Sequence, residues 1–211
     1  MTIDRDAVLR AALLPKLSTL VSLEDNSVLV EEMGIEHGVS RIDVAVIGSF
    51  VHGFELKAAS DSLSRLTQQV IHYDKLVDFA YLVLTENHVE PASASAPAHW
   101  GIILAFEHYD QIQFRVLRHA TRNPGRVPEA LARLLWREEA LAALVSLGLD
   151  RGFRQKSARI LHRRLAASID LDALSAIVLN QVRQRDMWGE RQKQPTPLFA
   201  IGSEQCDVSA R

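Results

Sequence analysis

Residues 51–85 constrain the fold of this chain more than any other stretch. VHGFELK (51–57) reads as a strand, SDSLSRLTQQVIHYDKLVDF as a helix, and FAYLVLT (79–85) as a strand again. The second strand is apolar throughout, the pattern of a strand covered on both faces of a parallel sheet. Strand, helix and parallel strand joined in this order form a right-handed crossover. The helix is expected to begin at Ser60 or Asp61 as its cap and to carry Leu63, Leu66, Val70, Tyr73 and Val77 on one stripe.

The flanking segments extend the sheet. SVLVEEM (27–33) and RIDVAVI (41–47) are β-rich runs on either side of a polar loop with Gly34 and Gly38. WGIILAFE and QIQFRVLRHA predict a closing hairpin, and EPASASAPA (90–98) reads as a loop. Residues 4–21 have helical spacing, kinked at Pro15. The fold class is therefore α/β, a mixed central sheet of five or six strands with helices on both faces. From Pro128 the pattern turns helical, in PEALARLLWREEALAALVSLG, KSARILHRRLAAS and DLDALSAIVLNQVRQRDMW. We divide the chain into a core at 1–124, a helical C-terminal region at 125–190, and a tail at 191–211 expected to be mobile.

Composition adds exclusions. No apolar run approaches bilayer length, and MTIDRDAVLR lacks the apolar segment of a signal peptide. The single cysteine, Cys206, excludes an internal disulfide. A cytoplasmic location is expected. The eight histidines include no pair four apart, which argues against a zinc site. No nucleophile elbow, Walker loop or dinucleotide glycine loop is present, so no organic cofactor is expected.

The chemistry concentrates around one acid. Asp43 sits in the middle of RIDVAVI between Ile42 and Val44, where a carboxylate is costly unless compensated. Register between strands 41–47 and 51–57 decides what it faces. A two-residue loop at Gly48-Ser49 puts Glu55 on the opposite surface; an odd loop sets Asp43 directly against Glu55. The odd register also gathers Val44, Val46, His52, Phe54 and Leu56 on one largely apolar face, and it is the register expected here. Glu55 and Lys57, two apart on a strand, then share a face. Ala45 and Gly53 are small neighbours that leave room for a ligand. Two carboxylates converging with a lysine suit Mg²⁺ or Mn²⁺ and phosphodiester cleavage. Glu-x-Lys alone is common where 24% of residues are charged, so the weight rests on its combination with Asp43.

RIDVAVI…HGFELK followed by a helix resembles the PD-(D/E)XK nuclease superfamily, the restriction-endonuclease-like fold. Gln69 and Tyr73 in QQVIHYDK, four apart on one helical face, resemble the Q-x-x-x-Y element of the RecB-type and lambda-exonuclease-like branches. EEMGIEHGVSRIDVAVI, the HGFELK–helix segment, HWGI and LLWREEAL also resemble a bacterial family known by a myxobacterial locus-tag name. That similarity spans roughly residues 25–190. The resemblance implies a Mg²⁺- or Mn²⁺-dependent deoxyribonuclease. Asp43, Glu55 and the Leu56 carbonyl would hold the metal, aided by an upstream acid, Glu32 or its rival Glu31. Lys57 would stabilise the transition state or position water, and Gln69 would support it. Tyr73 would contribute near the substrate. Ile42 stands where the motif has proline, which removes no ligand.

DRGFRQKSARILHRR is the most basic stretch, and Arg154, Lys156 and Arg159 within it are candidate contacts to a DNA backbone. A solvated helix face explains the same run equally well. Arg115, Arg118 and Arg122 would extend the patch into a positive rim beside the acids. DNA is the expected partner, with a homodimer as an option because many members of this fold cut two strands with two subunits. The competing expectation is a non-catalytic DNA-binding or adaptor protein on the same fold. A third reading, an RNA-directed nuclease, is separated by substrate preference.

Overall fold

The structure, a computed structural model, describes Ile3, residues 6–185 and residues 196–197. Six strands build one mixed sheet: β1 (Val28–Ile35), β2 (Ser40–Ile47), β3 (Val51–Lys57), β4 (Phe79–Thr85), β5 (Gly101–His108) and β6 (Gln111–Arg118). They lie in the order β6-β5-β4-β3-β2-β1, and a two-residue β7 (Thr196–Pro197) pairs outside β1. β3, β4 and β5 run parallel, and the other neighbours are antiparallel. This is the expected α/β architecture. The tail expected over 191–211 lies outside the described residues apart from Thr196 and Pro197, as does Cys206.

One face of the sheet is covered by α1 (Asp6–Leu13) and α2 (Leu17–Leu20), separated by a 3₁₀ turn at Leu14–Lys16 that contains Pro15. Leu9, Leu13 and Leu17 bury there against Val44, Val46, Phe54, Leu56 and Val83. The other face meets α3 (Leu66–Asp74), α4 (Glu86–Ser95), α5 (Pro128–Ala132), α6 (Arg137–Ser146), α7 (Ala158–Ala166) and α8 (Leu171–Arg183). Ala45, Ile47, Leu82 and Leu84 share a continuous core with Tyr73, Trp100 and the apolar stripes of the C-terminal helices.

Two local expectations are corrected. The 90–98 loop is largely helix: α4 runs through Pro91, buries Ala92, and places His88 Nε2 3.0 Å from the Ala58 carbonyl. Alanine is the best helix former, and burial outweighs the one amide that proline removes. The crossover helix starts at Leu66 rather than near Asp61. The Asp61 carboxylate instead accepts from Ala58 N–H at 2.7 Å, closing a turn directly after β3.

Register is set at the β2–β3 loop. The pairs are Ile47–Val51, Val46–His52, Ala45–Gly53 and Val44–Phe54, the odd register, closed by Gly48-Ser49-Phe50. Gly48 N–H donates to the Phe50 carbonyl at 3.0 Å, and Glu24 Oε2 accepts from Ser49 N–H at 2.9 Å. The pairing runs to Val44–Phe54, and the next residue, Asp43, turns its carboxylate to β3, where Oδ2 accepts from Leu56 N–H at 2.9 Å. The space at Gly53 is filled rather than open to a ligand. A Cβ there would stand 3.0 Å from Val77 Cγ1 and 3.2 Å from the Tyr73 ring. Gly53→Val is accordingly expected to cost about 1–3 kcal/mol by overpacking. Urea denaturation measures this, and unchanged stability would mean that Tyr73 does not lie against β3.

Candidate active site

Glu55 is the centre of the site. Its side chain points from β3 into the face covered by α3 and is 0% exposed. A carboxylate removed from water needs donors, and three converge on it. Lys57 Nζ lies 2.6 Å from Oε1, Gln69 Nε2 bonds the same oxygen, and Tyr73 Oη donates to Oε2 at 2.7 Å. Period-two alternation brings Lys57 onto the same face as Glu55, and the four-residue spacing on α3 brings Gln69 and Tyr73 together. Tyr73 also accepts from Asp43 N–H at 3.3 Å, so one phenol joins β2 to β3. Burial, then the Glu55 and Asp43 charges, raise that phenol well above its ordinary range, so it remains a donor.

Asp43 stands beside this network. Its Oδ2 accepts from Leu56 N–H at 2.9 Å, which places the carboxylate between the ends of β2 and β3. Burial, then the neighbouring Glu55 charge, push its pKa up to about 7, against the opposing pull of the Leu56 N–H and Lys57. Asp43 and Glu55, with Leu56 and Lys57, form the floor of a cleft of about 710 Å³. Arg10, Arg41, Arg65 and Gln69 line its walls.

Glu32 also lines the cleft. It falls between the pairs Glu31–Val44 and Met33–Ile42, level with Asp43, and its backbone is left-handed at φ +57°. For a non-glycine residue inside a strand this is strained and characteristic of functional sites. The kink shifts the alternation: Val30 and Met33 of β1, and Ile42 and Ala45 of β2, all enter the same core. The Glu32 carboxylate is ion-paired with Arg10 and Arg41, while Glu31 lies 3.7 Å from Arg10. No group of three or more acid, histidine or cysteine side chains could share a metal among the described residues.

The family described as bacteriophage P4 protein cII matches residues 2–194. The chain belongs to that family. Among solved structures, the P4 cII-family chain is similar to the SPO1766 protein of unknown function from Silicibacter pomeroyi, at 18% identity and a TM-score of 0.43, covering 72% of this chain and 94% of that one. A search of curated proteins returns no match.

The remaining expected contacts of the P4 cII-family protein fall elsewhere. Tyr73 is wholly buried, packed 5.4 Å from Trp100, with its hydroxyl on Glu55. Arg154, Lys156 and Arg159 are exposed but do not line the cleft, and Arg154 pairs with Asp150 at 2.6 Å. They sit on the turn before α7 and on α7 itself, which pack against other C-terminal helices. Of the expected rim, Arg115 is exposed, Arg118 bonds the Trp100 and Pro97 carbonyls, and Arg122 pairs with Asp172 at 2.8 Å. Short-range charge runs carry no information about which layer a helix joins. Arg10, Arg41 and Arg65 were the cations missed by sequence reasoning. His52 stacks on Phe79 at 4.9 Å on the expected apolar face, with burial lowering its pKa to about 4. Its Nδ1 meets no hydrogen-bond partner among the described residues.

The raised Asp43 pKa has a stability consequence with a definite sign. A carboxyl that ionises later in the fold than in the unfolded chain destabilises the fold as pH rises from 3.8 to about 7, with a constant deficit above. Asp43→Asn keeps an oxygen for the Leu56 N–H and removes that charge. It should stabilise the chain at pH 8 by about 1–3 kcal/mol, discounted for partial solvent access, with the gain vanishing near pH 4. Thermal melts at pH 4, 6 and 8 check this; a gain independent of pH would contradict it.

Proposed function

We propose that this chain is a divalent-metal-dependent nuclease that hydrolyses phosphodiester bonds in DNA, as its resemblance to the PD-(D/E)XK superfamily implies. One observation carries the reading. Asp43 and Glu55 line the same open cleft, with Asp43 Oδ2 on the Leu56 N–H at 2.9 Å and Lys57 Nζ 2.6 Å from Glu55.

The donor set fits Mg²⁺ or Mn²⁺. Both acids offer hard oxygens, Asp43 has no ion-pair partner among the described residues, and its raised pKa reflects two carboxylates sharing one dry wall. Magnesium takes one or two carboxylates and retains waters, so Asp43 and Glu55 suffice, with the Leu56 carbonyl adjacent. Bound there, the metal supplies Lewis-acid activation of a phosphate oxygen and of a water. The residues supply the rest. Gln69 and Tyr73 fix the Glu55 rotamer, and the Lys57 ammonium would stabilise the negative charge that develops on the phosphoryl oxygens. A cation held there would favour the ionised form of Asp43. DNA repair or defence against foreign DNA, in the cytoplasm, suits such an activity. A homodimer would cut two strands with two subunits.

A second reading, a non-catalytic DNA-binding or adaptor protein on the same fold, draws on the closed state of the network. Both Glu55 oxygens are already satisfied and Lys57 is only 5% exposed. Such a module would bind DNA without Mg²⁺ and tolerate Asp43→Asn.

Incubation of labelled single-stranded DNA, double-stranded DNA and RNA with Mg²⁺, Mn²⁺ or EDTA separates the readings. The nuclease reading expects metal-dependent cutting of DNA, reduced by about 10²-fold or more in Lys57→Ala. Cutting that persists in Lys57→Ala, or binding unaffected by metal with no cutting, would overturn it.

A further inference from the structure

The cleft holds a second constellation that metal chemistry does not use. Glu32, held left-handed at φ +57°, grips two guanidinium groups at once: Arg10 from α1 and Arg41 from β2. Arg10 is braced from behind by Asp6 at 2.6 Å, and its side chain is only 11% exposed. Arg41 is different. Despite its pairing with Glu32, its side chain is 62% exposed. A guanidinium with five donors spends only some of them on one carboxylate, leaving the remainder for a second oxyanion. Arg65, at the start of α3, is exposed in the same cleft and makes no ion pair among the described residues. A phosphodiester chain with one phosphate at the Asp43–Glu55 floor must bring its neighbouring phosphates against these walls.

We infer that Glu32 is a positioning residue rather than a metal ligand. It holds Arg41, buttressed by Arg10, so that Arg41 and Arg65 bind the phosphates flanking the scissile one. The identity of the ligand as a nucleic-acid backbone rests on the nuclease reading; the division of labour between Glu32 and the floor acids rests on the ion pairs. Ligation by Glu32 would require its carboxylate to leave both arginines, stranding the nearly buried Arg10 with Asp6 as its close partner. The strained backbone then has a purpose: it aims Glu32 sideways at cations contributed by two other elements, instead of along the sheet toward Asp43.

The test uses the full chain in a Lys57→Ala background, so that DNA survives the measurement. Affinity for a labelled duplex and a labelled single strand is read by fluorescence anisotropy in Mg²⁺ at 50–200 mM salt. Mn²⁺ binding without DNA is read by calorimetry. Arg41→Ala and Arg65→Ala should each weaken DNA binding about 5–10-fold at low salt and each lower the slope of log K against log salt by about 1. Glu32→Gln should weaken DNA binding similarly while leaving Mn²⁺ affinity within about twofold. Arg41→Lys should keep the salt slope and recover part of the affinity, as loss of fold would not. A tenfold or greater loss of Mn²⁺ affinity in Glu32→Gln overturns the inference. So do unchanged DNA affinity and slope in Arg41→Ala, and failure of the Lys57→Ala chain to bind DNA at all. Should Glu32→Gln misfold, the surface change Arg41→Ala still decides. If wild type does not cut but these binding changes appear, the nuclease reading falls and the phosphate contacts stand. If it cuts while Arg41 and Arg65 prove indifferent, the reverse holds.

Discussion

A carboxylate buried to zero exposure in the middle of a sheet is tolerable only if donors replace the water it has lost, and Glu55 sets that condition for the rest of the site. Lys57 comes from the same strand, Gln69 and Tyr73 from the crossover helix, so β3 and α3 must dock at one spacing for all three to arrive. Gly53 permits that spacing by letting the Tyr73 ring lie against the strand. Removing any one donor leaves a charged group short in a low-dielectric setting, an arrangement more expensive than an apolar replacement of the whole set. Its persistence makes chemical sense if the charge is used.

The second constraint is register. Glu24 pins Ser49, the loop closes over three residues, and Asp43 is carried to the end of β3, where its carboxylate meets the Leu56 N–H. Burial of the Asp43 carboxylate, then repulsion from the Glu55 charge, drives its pKa up to about 7. A divalent cation bound there would offset both the repulsion and the cost of burying the charge. Opposing charges on the cleft walls, with Arg41 and Arg65 exposed, complete an environment suited to a polyanion that meets a cation at its floor.

Much of this was legible in the chain itself, for identifiable reasons. Strand alternation put Glu55 and Lys57 on one face, helical spacing put Gln69 with Tyr73, and an uninterrupted apolar run marked β4 as interior. The preference for an odd loop followed from sorting Val44, Val46, Phe54 and Leu56 onto one side, and those residues do bury together. What escaped were effects of tertiary placement. The φ of Glu32 answers to Arg10, a partner from an element more than twenty residues away, and no local signal announces a left-handed glutamate. Asp61 looked like a helix cap because aspartate serves turns and caps with the same short-range hydrogen bonds. The 90–98 segment read as loop because proline and serine outweighed alanine until burial of His88 and Ala92 was counted. The sequence shows the charge density of Arg154, Lys156 and Arg159 but not that they stand outside the cleft of Asp43 and Glu55.

Family membership with bacteriophage P4 protein cII covers nearly the whole chain and leaves the chemistry to be decided by the site. The central claim is that Asp43 and Glu55 together hold a divalent cation. Calorimetric titration of Mn²⁺ into wild type, Asp43→Asn and Glu55→Gln tests it most directly. The account predicts one ion per chain in wild type and at least a tenfold weaker affinity in each variant. Equal affinity in all three, or no binding in wild type, would contradict it.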